Sequence, residues 1–173
     1  MNKEFAQRWI DSFFSDETPA GLYAEGGVCE DALLDLRIPE SAREEWKTLC
    51  AAWANKEVMG DHTMLVTDYL GPYTRRGSDG REERIGVIHW VWECDLPEFL
   101  GLPTGGKKIN TTCMSVQIYN DEGKIVHDWT TWDAINMLKQ CGVPLKTPHF
   151  WEMDWLTTID GISPDSIVES FQL

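Results

Sequence analysis

The segment Gly123-Lys124-Ile125-Val126-His127-Asp128-Trp129-Thr130-Thr131-Trp132-Asp133 starts at a turn, alternates like a strand and ends where a helix begins. Side chains two apart on a strand share a face. An unbroken strand therefore puts Ile125, His127, Trp129, Thr131 and Asp133 together, with Asp128 on the opposite, solvent-facing side unless a bulge intervenes. The shared face carries an imidazole, an indole, a hydroxyl and a carboxylate. Turned into a cavity, those groups suit acid/base chemistry; turned to water, they make an ordinary strand ending in a helix cap.

Asp133 carries both readings. Among tryptophans, desolvation raises a carboxyl pKa toward neutrality. At a helix N-terminus, backbone N–H groups hold the carboxylate ionised. His127 lies on the same ideal face, but six positions of extended chain separate the two by roughly 20 Å. They meet only if both reach one ligand in a deep pocket.

Outward from this segment, Asn120-Asp121-Glu122-Gly123 is a hairpin turn joining a strand over 109–119 to the strand over 124–132. Gln117, on the first of these, is a candidate ligand contact. The run 85–95 is strongly β-forming, with His89 and Glu93 on one face and Trp90, Trp92 and Cys94 on the other. Trp90, Trp92 and Trp129 are candidate pocket walls, and His89 is a candidate hydrogen-bond donor to a ligand.

Residues 63–69 form a further strand, 77–80 a turn, and the glycine- and proline-rich 96–106 a loop containing neither the spacing nor the following helix of a phosphate-binding motif. His62 belongs to the loop before the 63–69 strand. Earlier, 2–14 is an amphipathic helix (Phe5, Trp9, Ile10, Phe13) and 28–38 is extended with an internal turn. A helix opens at the capping box Ser41-Ala42-Arg43-Glu44 and buries Trp46, Leu49, Cys50 and Trp53. Glu30 and Asp31 point to opposite faces of their strand, so only one can enter a pocket. Residues 133–141 form a short helix closed by Gly142. Helices early and a meander late imply α+β, with helices on one face of a curved antiparallel sheet. Residues 1–145 form this half-cone domain, and 146–173 an extension packing on it or on a dimer partner.

With 15 basic and 29 acidic residues, the net charge of −14 disfavours nucleic acid, anionic membranes and strongly anionic substrates. The five scattered cysteines lack C-x-x-C spacing and read as buried free thiols, and the four histidines lack metal-ligand spacing. No run approaches a membrane span and the start has no signal-like apolar region, which makes a cytoplasmic protein the expectation. Nine tryptophans suit either plain core packing or a cavity for a flat ligand.

Leu22-Tyr23-Ala24-Glu25, Val28-Cys29-Glu30-Asp31, the loop Phe99-Leu100-Gly101-Leu102-Pro103-Thr104-Gly105-Gly106-Lys107, and the run from Gly123 through Asp133 to Gly142 together resemble the SnoaL-like polyketide cyclases of the nuclear transport factor 2-like superfamily. The resemblance spans residues 5–143. It implies an α+β half-cone, a homodimer, no cofactor, and a pocket aspartate at the position of Asp133 driving intramolecular aldol cyclisation of a hydrophobic, carbonyl-bearing small molecule. Isomerases, dehydratases and non-catalytic binders share the superfamily. The chain departs from the family pattern at Gly105, where a second proline is usual, at His127, where glutamate is common, and in the insertion over 75–83.

Overall fold

A computed structural model describes residues 1–15, 18–77, 80, 82–99 and 101–144. The expected extension over 146–173, with His149, Trp151 and Trp155, lies outside the described residues, as do Ser78 and Asp79 of the expected turn.

Helix α1 (Lys3–Asp11) is capped by Asn2, whose side chain accepts from the Phe5 N–H, and continues through a tight turn at Ser12–Phe14. Its apolar stripe places Ala6, Trp9 and Ile10 in the core. After a second tight turn (Pro19–Leu22) come β1 (Tyr23–Asp31) and β2 (Leu36–Pro39), an antiparallel pair. Helix α2 (Arg43–Ala54) buries Trp46 and Cys50. The capping box expected at Ser41 is not formed: Ala42 holds the N-cap position and no side chain caps it. The backbone takes over instead, with the Arg43 N–H donating to the Ser41 carbonyl. A single helical turn, α3 (Lys56–Met59), then leads into the sheet.

Strands β3 (His62–Arg76) and β4 (Glu82–Cys94) form a long hairpin, so the insertion over 75–83 extends two strands instead of making a separate loop. The segment expected as a loop over 96–106 contains a small hairpin, β5 (Glu98–Phe99) with β6 (Leu102–Pro103), and it buries Phe99. Strands β7 (Ile109–Tyr119) and β8 (Ile125–Trp132) follow, then helix α4 (Ala134–Gln140). The turn between β7 and β8 closes as expected: Gly123 adopts φ 79°, and the Asn120 side chain accepts from the Lys124 N–H.

The six-stranded sheet runs β2-β1-β8-β7-β4-β3. Only β1 with β8 is parallel, so the sheet is mixed instead of purely antiparallel. β3 is an outer edge, and its register with β4 slips at two places, between Val66 and Asp68 and between Leu70 and Tyr73. The inner face presents Cys29, Ile88, Trp90, Trp92, Cys94 and Cys113, and these pack with Trp9 and Ile10 of α1 and Trp46 of α2 in one core. Replacing a fully buried indole such as Trp46 with alanine costs about 3–5 kcal/mol in comparable cores. The five cysteines are free thiols; four are buried as expected, while Cys141 is partly exposed at the end of α4.

Candidate active site

The β8 segment does not alternate as an unbroken strand would. Ile118 pairs with His127 but Tyr119 pairs with Ile125, which leaves Val126 as an extra residue in a bulge. Beyond it the facing of every side chain reverses. Asp128, Thr130 and Trp132 occupy the inner face, while His127, Trp129 and Thr131 lie outside. The face expected for Ile125, His127, Trp129, Thr131 and Asp133 is therefore broken after its first member, and Asp128 is fully buried instead of solvent-facing.

Asp133 is exposed, and its carboxylate accepts the Asn136 N–H at 2.9 Å as the N-cap of α4. Of the two readings of this residue, the cap is the one the structure displays. Neither His127 nor Asp133 lines the indole-walled cavity. His127 stacks on Trp129 with ring centroids 3.7 Å apart, and its Nε2 lies 3.0 Å from the Glu30 carboxylate. Glu30 also pairs with Arg37. These four side chains form a cluster on the outer face, and Glu30 and Trp129 border a separate hollow of about 230 Å³. His89 also faces outward, its Nδ1 sharing a hydrogen bond of 2.7 Å with Thr67. Gln117 is fully buried, but it accepts the Tyr119 hydroxyl at 2.8 Å and does not line the cavity.

The cavity lies between the inner face of the sheet, α2 and the β5–β6 hairpin. Its main lobe, about 330 Å³, is walled by Trp53, Trp90, Trp92, Phe99 and Trp132. A smaller lobe of about 60 Å³ reaches toward α1 and Cys29. Trp53 meets Trp92 edge-on at 5.2 Å, Trp92 meets Trp132 at 6.3 Å and 90°, and Trp132 meets Phe99 at 5.8 Å. Edge-to-face contacts of this kind hold rings in fixed orientations. Behind Trp53, His62 stacks nearly parallel at 5.7 Å, because it opens β3 instead of lying in a loop. Burial pushes the His62 pKa down, which favours the neutral ring. Trp90 and Trp92 share the cavity walls with Trp53, Trp132 and Phe99.

Asp31 lines both lobes. It ends β1 on the inner face and nucleates the turn to β2, with Oδ1 accepting the N–H groups of Leu33 (3.0 Å) and Leu34 (3.1 Å). Oδ2 accepts the Trp132 indole N–H at 3.2 Å. Burial raises its pKa from the ordinary carboxylate value, and the three hydrogen bonds only partly offset that rise. Of the adjacent pair Glu30 and Asp31, one enters the pocket, as strand geometry requires, and it is Asp31.

A second carboxylate, Asp128, sits behind the wall of the smaller lobe. Its Oδ2 accepts the Tyr23 hydroxyl at 3.0 Å and the Cys29 thiol at 3.7 Å, and Tyr23 in turn accepts the Trp9 indole N–H at 3.2 Å. Complete burial, with a smaller contribution from the charge of Asp31, pushes Asp128 up to about 7. Among the described residues, no group of three or more His, Cys, Asp or Glu side chains is placed to hold a metal ion.

A curved six-stranded sheet carrying helices over a hollow inner face is the nuclear transport factor 2-like α+β fold. Solved structures share it. IdmH from Streptomyces antibioticus, a candidate polyketide cyclase, superposes with a TM-score of 0.56 at 21% identity, covering 80% of this chain and 96% of its own. A candidate SnoaL-like polyketide cyclase from Jannaschia sp. gives 0.54 at 11% identity over 82% and 92%. A SnoaL-like polyketide cyclase from Agrobacterium tumefaciens gives 0.54 at 13% identity over 79% and 94%. At these identities the likeness establishes the fold. No protein-family model matches the chain, and no curated protein matches it.

Proposed function

We propose that the protein is a SnoaL-like cyclase-type enzyme that performs cofactor-free acid/base chemistry on a small, hydrophobic, carbonyl-bearing molecule, with Asp31 rather than Asp133 as the proton acceptor. The observation that carries this reading is a carboxylate of raised pKa lining a hollow walled by four indoles. The fold shared with candidate polyketide cyclases supports the same class.

In this reading, Asp31 removes a proton from the carbon next to a carbonyl. The resulting enolate carbon attacks a second carbonyl of the same molecule, closing a ring and leaving an alkoxide to be protonated. Proton transfer by a positioned group contributes about 10²–10⁴-fold. Rigid aromatic walls add to this by folding a flexible chain into a reactive shape. An isomerase or dehydratase would use the same carboxylate and is distinguished by its product. Among the described residues, the cavity walls present no basic side chain, which suits a neutral ligand. The outer face of the sheet exposes Met114 and Trp129, and a second copy of the chain covering that face would make the expected homodimer.

Asp31→Asn keeps the turn-forming oxygen and removes the base. It is expected to lower cyclisation of an aryl-substituted delta-diketone by about 10²–10⁴-fold while the far-ultraviolet spectrum and melting temperature stay close to wild type. A variant that cyclises at the wild-type rate rejects the assignment. Wild-type protein that binds the diketone without turning it over favours a non-catalytic binder.

A further inference from the structure

The smaller lobe has one wall that the reading above leaves unused. Cys29 stands two residues before Asp31 on the same inner face of β1, and its side chain lines that lobe. The parallel register sets Cys29 directly beside Asp128 of β8. The thiol thus lies between the cavity and a carboxyl group with no exposure of its own.

Asp128 Oδ1 makes no hydrogen bond of normal geometry, and the nearby Gln117 amide is the weakest of the groups that favour its ionised form. A buried carboxylate oxygen left poorly paired is costly unless it carries a proton. The titratable groups facing Asp128 are Tyr23, Cys29 and Asp31 from β1 and Tyr119 from β7. None of them is basic, and burial outweighs the hydrogen bonds from Tyr23, Cys29 and Gln117, so the neutral acid is favoured.

We infer that Cys29 and Asp128 form a relay that delivers a proton to the cavity as Asp31 removes one. This inference rests on the acid/base reading of Asp31. When the enolate carbon bonds to the second carbonyl carbon, the π pair of that carbonyl becomes an alkoxide lone pair. The alkoxide takes the Cys29 proton, and the S–H bonding pair stays on sulfur. The carboxyl group of Asp128 turns about its Cβ–Cγ bond and gives its proton to the thiolate. After product leaves, the proton held by Asp31 passes back through the thiol to Asp128. Protons balance over the cycle, and no oxidant or reductant takes part.

The order of proton affinities runs the right way. An alkoxide is the strongest base of the three, the buried thiol lies well above an ordinary cysteine, and Asp128 lies at about 7. Each transfer toward the product oxygen is therefore downhill. In these terms Cys29 is the group that touches substrate, and Asp128 acts through it.

Two reactions separate the roles. Deuterium wash-in next to the carbonyl of tetralone in heavy water reads proton removal by Asp31; ring closure of the delta-diketone reads proton delivery by the relay as well. Cys29→Ala and Asp128→Asn are expected to slow ring closure by at least about tenfold, at the low end of what a positioned proton donor contributes, and to slow it more than they slow wash-in. Cys29→Ser restores ring closure, because a hydroxyl can pass a proton. Wild-type ring closure falls as pH rises through about 7, where Asp128 loses its proton, and Asp128→Asn abolishes that limb.

Ring closure at the wild-type rate in Cys29→Ala and Asp128→Asn, with Asp31→Asn inactive, overturns the relay and leaves Asp31 standing. Loss of neither reaction in Asp31→Asn overturns both. Infrared spectra of the intact wild-type protein provide a readout that does not depend on variants folding. They are expected to show a protonated-carboxyl band that titrates near neutral pH, together with an S–H stretch that shifts as it does. An S–H stretch indifferent to that titration overturns the relay.

Discussion

Asp128 and Asp133 lie five residues apart on one strand-to-helix segment, yet they occupy opposite electrostatic settings. Asp128 is enclosed, meets a phenol and a thiol, and titrates near neutrality. Asp133 is exposed and spends its charge on the first turn of α4. The residue type is the same; the difference comes from one inserted position, Val126, and from where the strand stops. What a carboxylate can do here follows from which amides and which water reach it.

Deleting Val126 attacks that contrast most directly. The deletion closes the bulge while Ile118 still pairs with His127 and Tyr119 with Ile125, so Ile125, His127 and Asp128 alternate inside, outside, inside as they already do. We expect a cooperative thermal transition at a lower temperature, with Asp128 still buried. A broad transition shows that β8 needs the extra residue to hold its fold.

A smaller effect tests the burial of Asp128 itself. Its folded pKa is raised, so its contribution to stability is fully present below the unfolded carboxyl value and is lost as pH rises through about 7. The shift from the ordinary value of 3.8 to about 7 corresponds to a decline on the order of 4 kcal/mol across that interval. Chemical denaturation at a series of pH values is expected to show this slope in wild type, with Asp128→Asn flatter by that amount. Equal slopes for the two proteins contradict a neutral buried acid.

The smallest effect belongs to Asp133. Asp133→Ala removes an N-cap and is expected to cost about 1 kcal/mol, whereas Asp133→Asn is nearly neutral. Neither change should alter ring closure by more than stability explains. A large loss of turnover in the well-folded Asp133→Asn protein restores the chemistry that the sequence pattern suggests for it.

Much of the architecture was legible before any coordinates, because periodicity and turn chemistry are local. The α1 stripe, the hairpin at Asn120–Gly123 and the partition of Trp90 and Trp92 from His89 all follow from spacing. The α+β class and the fold follow in turn. The site was legible only in part. Asp31 stood among the candidates, and parity showed that it and Glu30 could not both enter a pocket. The choice between them depended on which face the helices cover, and that is a tertiary fact.

Asp128 was misplaced because a bulge leaves little mark in the residues that form it. One hint was present: Trp129 and Trp132 are separated by an odd number of positions, so on a regular strand only one of the two indoles can face the core. His127 was misread for the same reason. Tyr23 and Cys29 drew no functional attention, since a phenol and a thiol in an apolar strand look like packing until a carboxylate is found beside them.

The long outer strand β3 has a consequence for how molecules of this protein can meet. An open border of fifteen residues would ordinarily recruit a strand from another copy and propagate into fibrils. Here Pro72 offers no N–H in the middle of that border, and the two register slips twist it away from straightness. Self-association through this rim is thereby discouraged.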